Sequence, residues 1–502
     1  MLFEPEFTKI NLLGQKGSIC EQIKVEAKTE TLSEEVAKVL SVNAFSTIND
    51  SDAQNGIINY SGRTVFYISY INKDGALKKC ECGSEFKGSI KDPLADDARA
   101  SVVAKVVKTQ TDCEGIKLVA SAYVNVCVSI NKTLNAEVLT GGENLIVNSD
   151  EISYQKGYGI KTLSYPVEEE FELNYPVEEV LSHRAEALIT MVQSGVNCIF
   201  VDGEVILSII MLQKTDRSDI IKEVKTFPFR VEIECEDAMP NMQAIAFVKE
   251  KFFKTDVAVD EENSKSVVTA TVNLTFEGEA FSEDTFSLAQ DVFSTEQEVE
   301  LVKKSEPYFK ACQQRSVSVN VVGRSPINEL PVGVMVLCSG GEKAEITNKR
   351  CEGENIVVTG VVSSVVYLRD GDGKVFAETV EIPFESTLDV CYTCNTLIDI
   401  KANVKNSKVK IISLVETELE CEIQFTLYPE EKSELCFVSE IKPLGEKKKN
   451  TCAISVYIPL EGEELWSLAK RLNVCPESLK QTNPELQFPL TGKERIVVYR
   501  QR

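Results

Sequence analysis

Histidine is nearly absent from this 502-residue chain, which contains only His183. Histidine is the side chain most often used as a general base near neutral pH, so His183 is the one residue on which a histidine-based catalytic triad could be built. No GxSxG nucleophile motif accompanies it, and no GxxxxGK(S/T) phosphate-binding loop occurs in the chain. The sequence therefore predicts a protein that is not an enzyme, with no catalytic residues and no cofactor. We interpret His183 as a surface or structural residue.

Long apolar runs are also absent. Residues 1–17 lack a basic stretch followed by an apolar core, and no segment approaches the roughly 20 apolar residues that span a bilayer. Sixteen cysteines are scattered from Cys20 to Cys475 without the dense spacing of a secreted disulfide framework. We therefore expect no transmembrane segment, a protein that stays in the compartment where it is made, and reduced cysteines.

Two cysteine pairs have spacings that suggest chemistry. Cys391 and Cys394 form a CxxC motif, which is half of a zinc site or a redox pair, and Cys80 and Cys82 lie one residue apart. A tetrahedral zinc site needs four ligands, and no thioredoxin-like βαβ pattern surrounds the CxxC motif. We therefore expect neither a metal site nor a redox function.

Basic residues are outnumbered, since 54 lysines and arginines stand against 78 acidic residues and give a formal net charge of -24. Nucleic acid is therefore not an expected ligand, because binding to it depends on basic groups that displace counterions from phosphates. The acidity fits either solubility or attraction to a basic partner. Acidic runs such as residues 168–170 and 261–262 could mimic glycosidase carboxylates, but they are more typical of solvated faces.

Residues with β-branched and aromatic side chains dominate much of the chain, for example over residues 63–70 and 357–368. Turn signals such as the Asn-Lys-Asp-Gly sequence at 72–75 bound these runs, as is typical of strands joined in hairpins. The helical crossovers of a parallel α/β fold are absent from most of the chain. The predicted fold class is therefore mainly β.

A block of apolar strand, charged hairpin and second strand occurs three times, beginning at Gly62, Gly203 and Gly360. Further alternating strands follow each block, and such alternation places one face on a core and the other in water. We therefore predict three tandem β-sandwich-like repeats. Their predicted ranges are 1–150, 160–310 and 315–440.

The C-terminal segment differs from these repeats. After a basic linker at residues 441–450, the stretch 451–502 contains seven basic and six acidic residues, so the acidity resides upstream. Apolar residues at i, i+3, i+4 and i+7 from Leu465 predict a helix, and Pro476 suits the first turn of a second one. Short apolar strands flank the two helices. The stretch 451–502 is therefore predicted to be a small βααβ domain.

This order of elements, with the sequences Gly462-EELWSLAKRLNV and Thr482-NPEL, resembles the LysM domain. In that family the loop after the first strand and the loop before the second form a shallow groove for N-acetylglucosamine-containing glycans. The resemblance implies that nine residues form the groove in this chain. They are Gly462, Glu463, Glu464, Leu465, Trp466, Asn483, Pro484, Glu485 and Leu486.

The first groove loop departs from the usual Gly-Asp-Thr of the family, because Glu463 and Glu464 stand where a small hydroxyl side chain is common. A basic protein partner offsets the desolvation of two carboxylates better than a sugar does. We therefore predict that the groove binds a protein, with glycan binding as the alternative. Trp466, the only tryptophan, is either a packing residue of the helix or a partner contact.

The third repeat, especially Gly373-KVFAETVEIPF, resembles the SPOCS domain of spore coat proteins from Clostridia and Bacilli. Three such repeats followed by LysM resemble the clostridial spore coat morphogenetic proteins that bind the coat ATPase SpoIVA. The resemblance implies a scaffold in the mother-cell cytoplasm that binds SpoIVA at the forespore surface and supports coat encasement during sporulation. The alternative is a LysM protein that binds peptidoglycan or cortex glycan. An enzyme acting on wall polymers would need a catalytic constellation that the sequence does not show.

Overall fold

A computed structural model describes residues 4–96, 98–114, 116–214, 219–260, 265–353, 355–390, 396–448 and 452–499. Strands account for 77% of the structure, so the prediction of a mainly β protein is confirmed. The CxxC motif at Cys391 and Cys394 and the acidic pair at 261–262 lie outside the described residues.

The strands fall into three consecutive sets with the same connectivity, which we call unit 1, unit 2 and unit 3. Unit 1 consists of β1 (Glu4–Lys28), β2 (Val36–Gln54), β3 (Ile57–Asn72), β4 (Leu77–Lys91), β5 (Arg99–Glu114) and β6 (Lys117–Glu143). Unit 2 consists of β7 (Ile146–Gly157), β8 (Lys161–Leu173), β9 (Val177–Ser194), β10 (Cys198–Gln213), β11 (Ile220–Glu234), β12 (Gln243–Asp260) and β13 (Lys265–Phe293). Unit 3 consists of β14 (Gln297–Ala311), β15 (Arg315–Pro326), β16 (Met335–Glu352), β17 (Asn355–Arg369), β18 (Val375–Leu388), β19 (Thr396–Ser413) and β20 (Glu416–Glu446).

Each unit is built from two antiparallel sheets that share one core. In unit 1 the meander β2–β3–β4 packs on the sheet formed by β1, β6 and β5, with Phe66 of β3 and Val124 of β6 both fully buried in the same cluster. Units 2 and 3 repeat this arrangement, except that the first strand is broken into β7 and β8 or into β14 and β15. Alternation of buried and exposed side chains along the strands produces these cores.

The three glycines that mark the sequence repeat occupy equivalent positions in the central meander strands. Each lies against a backbone carbonyl of the preceding strand and a phenylalanine ring of the following strand. The sets are Gly62 with Thr47 and Phe86, Gly203 with Leu188 and Phe229, and Gly360 with Glu345 and Phe384. A Cβ atom on Gly203 would lie 2.2 Å from the Leu188 carbonyl oxygen, so only glycine fits without a shift of the backbone.

The first and last strands of each unit extend beyond the sandwich as a two-stranded ribbon, and the three ribbons pack together. Their shared clusters include Leu12 and Val138 from unit 1, Leu288 from unit 2, and Tyr308 and Phe437 from unit 3. We call this bundle of ribbons the stalk. At the meanders, a second shared cluster joins the units, and there the buried Tyr367 and Ser41 hydroxyls lie 2.6 Å apart.

The C-terminal module, residues 452–499, contains β21 (Ile454–Tyr457), α1 (Leu465–Leu472), α2 (Pro476–Thr482) and β22 (Ile496–Tyr499). The two strands pair antiparallel, and the helices bury Leu468 and Leu479 against Ile496. Within the described residues, no helix has the length and apolar character needed to cross a membrane.

Strand pairing sets limits that differ from the predicted repeat ranges. Unit 2 begins with β7, before residue 160, because this strand pairs with β13. Unit 3 begins with β14, before residue 315, because this strand pairs with β20. Strand β20 also continues to Glu446, so most of the predicted linker 441–450 is part of the stalk.

The prediction that all cysteines are reduced is wrong at one pair. Cys20 and Cys127 form a disulfide, with Cα atoms 4.1 Å apart and 107 residues between them in sequence. The antiparallel register of β1 and β6 places these two residues directly opposite each other. Spacing along the sequence could not reveal that proximity.

We expect the substitution Gly203→Ala to destabilise the protein by about 1–3 kcal/mol, because the added methyl group overpacks the contact with Leu188 and Phe229. Urea denaturation followed by circular dichroism would measure the loss. Gly141→Ala is the matched control, since its Cβ would meet only a Glu6 carboxylate oxygen at 3.6 Å. Equal denaturation midpoints for the two variants would contradict the prediction.

Candidate functional site

The C-terminal module is held against the end of the stalk by α1. The Trp466 ring meets the Phe293 ring edge-on, with centroids 5.2 Å apart, and Trp466 Nε1 donates to Asp291 Oδ2 at 2.8 Å. Lys470 Nζ lies 2.7 Å from both carboxylate oxygens of Asp291. Trp466 is therefore a packing residue, and it packs against the stalk as well as the module.

A second set of contacts fixes the module beside the end of β20. Lys447 Nζ donates to Asn473 Oδ1 and to the Ser294 carbonyl, each at 2.9 Å. Asn473 Nδ2 in turn donates to the Thr295 carbonyl at 2.6 Å. Asn473 also ends α1 in the left-handed conformation, with φ of 58°. The residue that terminates the helix therefore also docks the module.

Asp291 is the charged centre of this contact. Burial acts to raise the pKa of its carboxyl group, but hydrogen bonds from Lys470 and Trp466 outweigh that effect, so the pKa is lowered. The carboxylate is therefore ionised at neutral pH and retains both donors.

The predicted groove residue Glu463 is not available to a ligand. Its side chain is buried. Arg471 donates hydrogen bonds to its two carboxylate oxygens at 2.7 and 2.8 Å, and the Leu460 amide donates to the same carboxylate at 2.9 Å. The hydrogen bonds from Arg471 are the main reason why the pKa of Glu463 is lowered. The expectation of two groove carboxylates is therefore wrong at Glu463, because the side chain turns inward to tie its loop to α1.

Asn483 is also structural. It is only 1% exposed, its Nδ2 donates to the Leu479 and Val497 carbonyls, and its Oδ1 accepts from the Val497 amide at 2.8 Å. These bonds join the end of α2 to β22. Leu465 and Leu486 pack on the module core from the two predicted loops.

Four of the nine predicted residues remain exposed: Gly462, Glu464, Pro484 and Glu485. Two of them are carboxylates, one from each predicted loop, and neither forms an ion pair within the described part of the chain. We call Glu464 and Glu485 the acidic rim. The rim offers charge to a partner but no aromatic surface, because the tryptophan lies against the stalk.

Sequence reasoning missed an apolar surface formed by β21 and the loop that follows it. The outward side of β21 and the residues after it carry Ile454, Val456, Ile458 and Leu460, which are 60–71% exposed, and Tyr499 stands opposite Ile454 at 61%. We call these five residues the sheet face. Their alternation in the sequence was the available signal, but the sequence analysis predicted only a short apolar strand at this place.

His183 lies between units 1 and 2 and fits the structural interpretation. Its ring packs edge-on against Tyr67 and Phe253, with centroids 4.8 and 4.5 Å away, and its Nδ1 lies 2.5 Å from Thr255 Oγ1. Burial, with a smaller effect from Lys79, lowers its pKa to about 4. The ring is therefore neutral at pH 7 and stays in the apolar contact.

The other sequence candidates form no reactive centre in the part of the chain that the structure describes. Burial raises the pKa of the Cys80 thiol to about 12 and that of Cys82 to about 11, so both are poor nucleophiles at neutral pH. Glu168 and Glu170 point outward from β8. Among the described residues, no group of three or more histidine, cysteine, aspartate or glutamate side chains is placed to hold a metal ion.

A buried ionic cluster between units 2 and 3 was also missed. Glu342 is 4% exposed, and its Oε1 accepts from Lys222 Nζ at 2.6 Å and from Ser407 Oγ at 2.5 Å, with Arg184 nearby. Burial acts to raise the pKa of Glu342, but Lys222, with smaller effects from Ser407 and Arg184, outweighs burial, so the pKa is lowered. The opposite charges are paired with each other, and the cluster joins the two units.

No protein-family model, no curated protein and no solved structure matches this chain. The structure therefore defines its class directly, as a mainly β protein of three like units with a small βααβ module fixed to their common stalk.

We expect Asp291→Ala to loosen the module from the stalk by about 1–2 kcal/mol, because Trp466 and Lys470 lose their shared charged acceptor. Trp466 is the only tryptophan, so its emission should shift to longer wavelength and become easier to quench with acrylamide. Asp284→Ala, at an exposed position on the same strand, is the control. Unchanged emission in the Asp291 variant would show that this contact does not hold the module.

The same emission should respond to acid in the unmodified protein. Because the folded pKa of Asp291 is lowered, its contribution to docking is complete above the unfolded value of about 3.9. The contribution is lost as the pH falls through the lower folded value. The red shift should therefore begin only below pH ~4, and a transition centred above pH ~5 would contradict the assignment.

Proposed function

We propose that this chain is a non-enzymatic scaffold of the spore coat, similar to the SipL family, and that its C-terminal module docks on the coat ATPase SpoIVA. The module has the βααβ order that the LysM resemblance implies, and three units of like topology accord with three SPOCS repeats. Both observations support the proposal. Its place is the mother-cell cytoplasm at the forespore surface, where it supports coat encasement.

The fixed attachment of the C-terminal module to the stalk is the observation that supports this function most directly. Trp466, Lys470 and Asn473 fix the module on the stalk, so that its acidic rim is presented in one orientation. A surface that is ordered before binding loses less conformational freedom on docking. This arrangement favours a protein partner, because a large complementary surface gains most from a fixed orientation.

The acidic rim favours protein over glycan for a further reason. Glu464 and Glu485 complement lysine and arginine side chains on a partner, and such complementarity steers association and fixes its register. Sugar hydroxyls can donate to carboxylates, but sugar rings also bind well to aromatic faces, and the one tryptophan is held by Phe293 and Asp291. Peptidoglycan or cortex glycan is therefore the less favoured ligand.

The three linked units provide further binding surfaces in the rest of the chain. Each unit presents its own outer sheet surfaces, so additional coat proteins can bind while the module is docked. Linked sites raise the overall affinity well above that of each site alone. A scaffold function requires this capacity and requires no catalytic group.

The docking surface is tested with the double variant Glu464→Lys, Glu485→Lys in the full-length chain. Calorimetric titration against purified SpoIVA should show at least a tenfold weaker affinity, about 1.4 kcal/mol, because two attractive contacts become repulsive. The control is Glu168→Lys, Glu170→Lys, which makes the same charge change on exposed positions of β8.

Titration of the unmodified chain with chitin oligomers and with peptidoglycan fragments decides between the two ligand classes. Binding to SpoIVA alone supports the coat scaffold. Binding to glycan alone would move the protein to the wall-recognition class, and equal SpoIVA affinity in both double variants would show that the acidic rim is not the docking surface.

A further inference from the structure

The Cys20–Cys127 disulfide lies on the solvent-facing side of unit 1. Val126 and Val128, the neighbours of Cys127 in β6, are fully buried in the core of the unit. Because side chains alternate along a strand, Cys127 and its partner point away from that core. Cys20 is exposed and Cys127 is half-buried, so a dissolved molecule can reach the pair.

The strand pairs that close units 2 and 3 contain an equivalent position. We located it by counting nine residues towards the stalk, along the first and the last strand, from the outermost pair of buried residues. These buried residues are Thr29 with Leu118, Leu173 with Ser266, and Ser325 with Thr417. The equivalent opposed residues are Cys20 with Cys127, Ser164 with Thr275, and Ser316 with Thr426.

Comparison of the three positions shows that the fold does not need a disulfide there. Units 2 and 3 close the same strands with serine and threonine, whose side chains are of similar size to that of cysteine. Thr275 and Thr426 are each 5% exposed, and Ser316 donates to the Ile189 carbonyl of unit 2 at 2.8 Å. The cysteines therefore occur in the unit where both members of the pair are accessible, and they serve something other than closing the sandwich.

Exposure decides how a disulfide reacts, since an accessible disulfide exchanges with thiols more readily than one buried in a core. The free cysteines of the cores lack this access. Cys338 and Cys421 are buried, and burial raises the pKa of each thiol to about 12, so both stay protonated at neutral pH. Cys20 and Cys127 are therefore placed for exchange chemistry, and the core cysteines are not.

The disulfide also lies close to the place where unit 1 meets the stalk. Strand β1 shifts register within residues 13–15, whereas the first strands of units 2 and 3 are interrupted. Lys16, between this shift and Cys20, pairs with Glu430 of unit 3. Its Nζ lies 5.9 Å from the centroid of the Phe309 ring, which is also in unit 3. The disulfide thus holds the segment of β1 that contacts unit 3.

We propose that Cys20 and Cys127 form a reversible modification site for low-molecular-weight thiols. A thiolate of such a molecule attacks the exposed Cys20 sulfur, the Cys20–Cys127 bond breaks, and Cys127 leaves as a thiolate that takes up a proton. A second thiolate attacks the small-molecule sulfur of the mixed disulfide and releases Cys20 as a thiolate, which is also protonated. The chain gains two electrons and two protons, and two thiols become one small-molecule disulfide. Oxidation of the pair is the reverse of these steps.

Opening the disulfide should loosen the junction of unit 1 with the stalk. The bond spans 107 residues of sequence, and a cross-link over so long a stretch strongly restricts opened states of the chain. Without it, β1 is held by hydrogen bonds and packing alone, so local opening is more frequent. This goes beyond the proposed function, because neither the C-terminal module nor its acidic rim takes part.

The test uses glutathione as the probe and the full-length chain without denaturant. Millimolar reduced glutathione should make both cysteines available to an alkylating reagent, as measured by peptide mass spectrometry, and oxidised glutathione should restore the bond. Hydrogen exchange in residues 14–24 and 122–131 should be at least about tenfold faster in the reduced chain. A pair that is alkylated only after denaturation, or that oxidised glutathione does not rejoin, would overturn the proposal.

The matched variant carries Cys20→Ser and Cys127→Thr, which copies the residues of units 2 and 3 and is therefore expected to fold. It should exchange like the reduced chain, with or without glutathione. Cys351→Ser, at an exposed free cysteine, is the control and should respond like the unmodified chain. Slow exchange in the double variant, equal to that of the oxidised chain, would show that the disulfide does not restrain β1. Loss of the glutathione response in the Cys351 variant would assign the response to that thiol instead.

Discussion

The pairing of the first strand of each unit with its last strand is the constraint on which the structure depends. This pairing closes each sandwich and continues beyond it as a ribbon of the stalk. Because each ribbon contributes apolar residues to clusters shared with the other two, the units are held together at the same place where each one begins and ends. The C-terminal module packs on this end of the stalk through Phe293, which belongs to the last strand of unit 2.

Away from the stalk, the units share the apolar cluster at the meanders and, in addition, buried polar contacts. The Glu342 cluster joins units 2 and 3, and the Tyr367 hydroxyl of unit 3 contacts Ser41 of unit 1. Buried ionic groups add little net stability compared with apolar packing, but they penalise any arrangement that leaves one charge without its partner. The stalk and the meander cluster therefore supply the apolar contacts that hold the units together, while the polar contacts fix how the sandwiches face one another.

Much of the fold could be predicted from the sequence. The correct predictions all depend on residues that are close together along the chain. Gly62, Gly203 and Gly360 identified the threefold pattern because a crowded backbone position excludes every larger residue, and that exclusion is visible in each copy. The mainly β class followed from strand composition. The spacing of apolar residues from Leu465 likewise predicted a helix with one buried face, and the structure places α1 at Leu465–Leu472.

The failures concern partners that are remote in sequence. Neither the pairing of Cys20 with Cys127 nor the ion pair of Glu463 with Arg471 follows from spacing, since each depends on how loops and strands meet in space. The unit limits were misplaced because β7 and β14 are recognisable only by the strands they join. The sheet face was missed because an alternating strand looks the same from sequence whether its second side faces water or a partner.

Strand β20 has a mechanical consequence for the molecule. It pairs with β15 and β19 in the sandwich and with β14 in the stalk, and it ends beside the module. A pull between the module and the remote end of unit 3 runs along this strand, perpendicular to its hydrogen bonds. Such a load shears all the bonds together instead of opening them one after another, so tension applied at the module is carried into the whole of unit 3 before any strand is released.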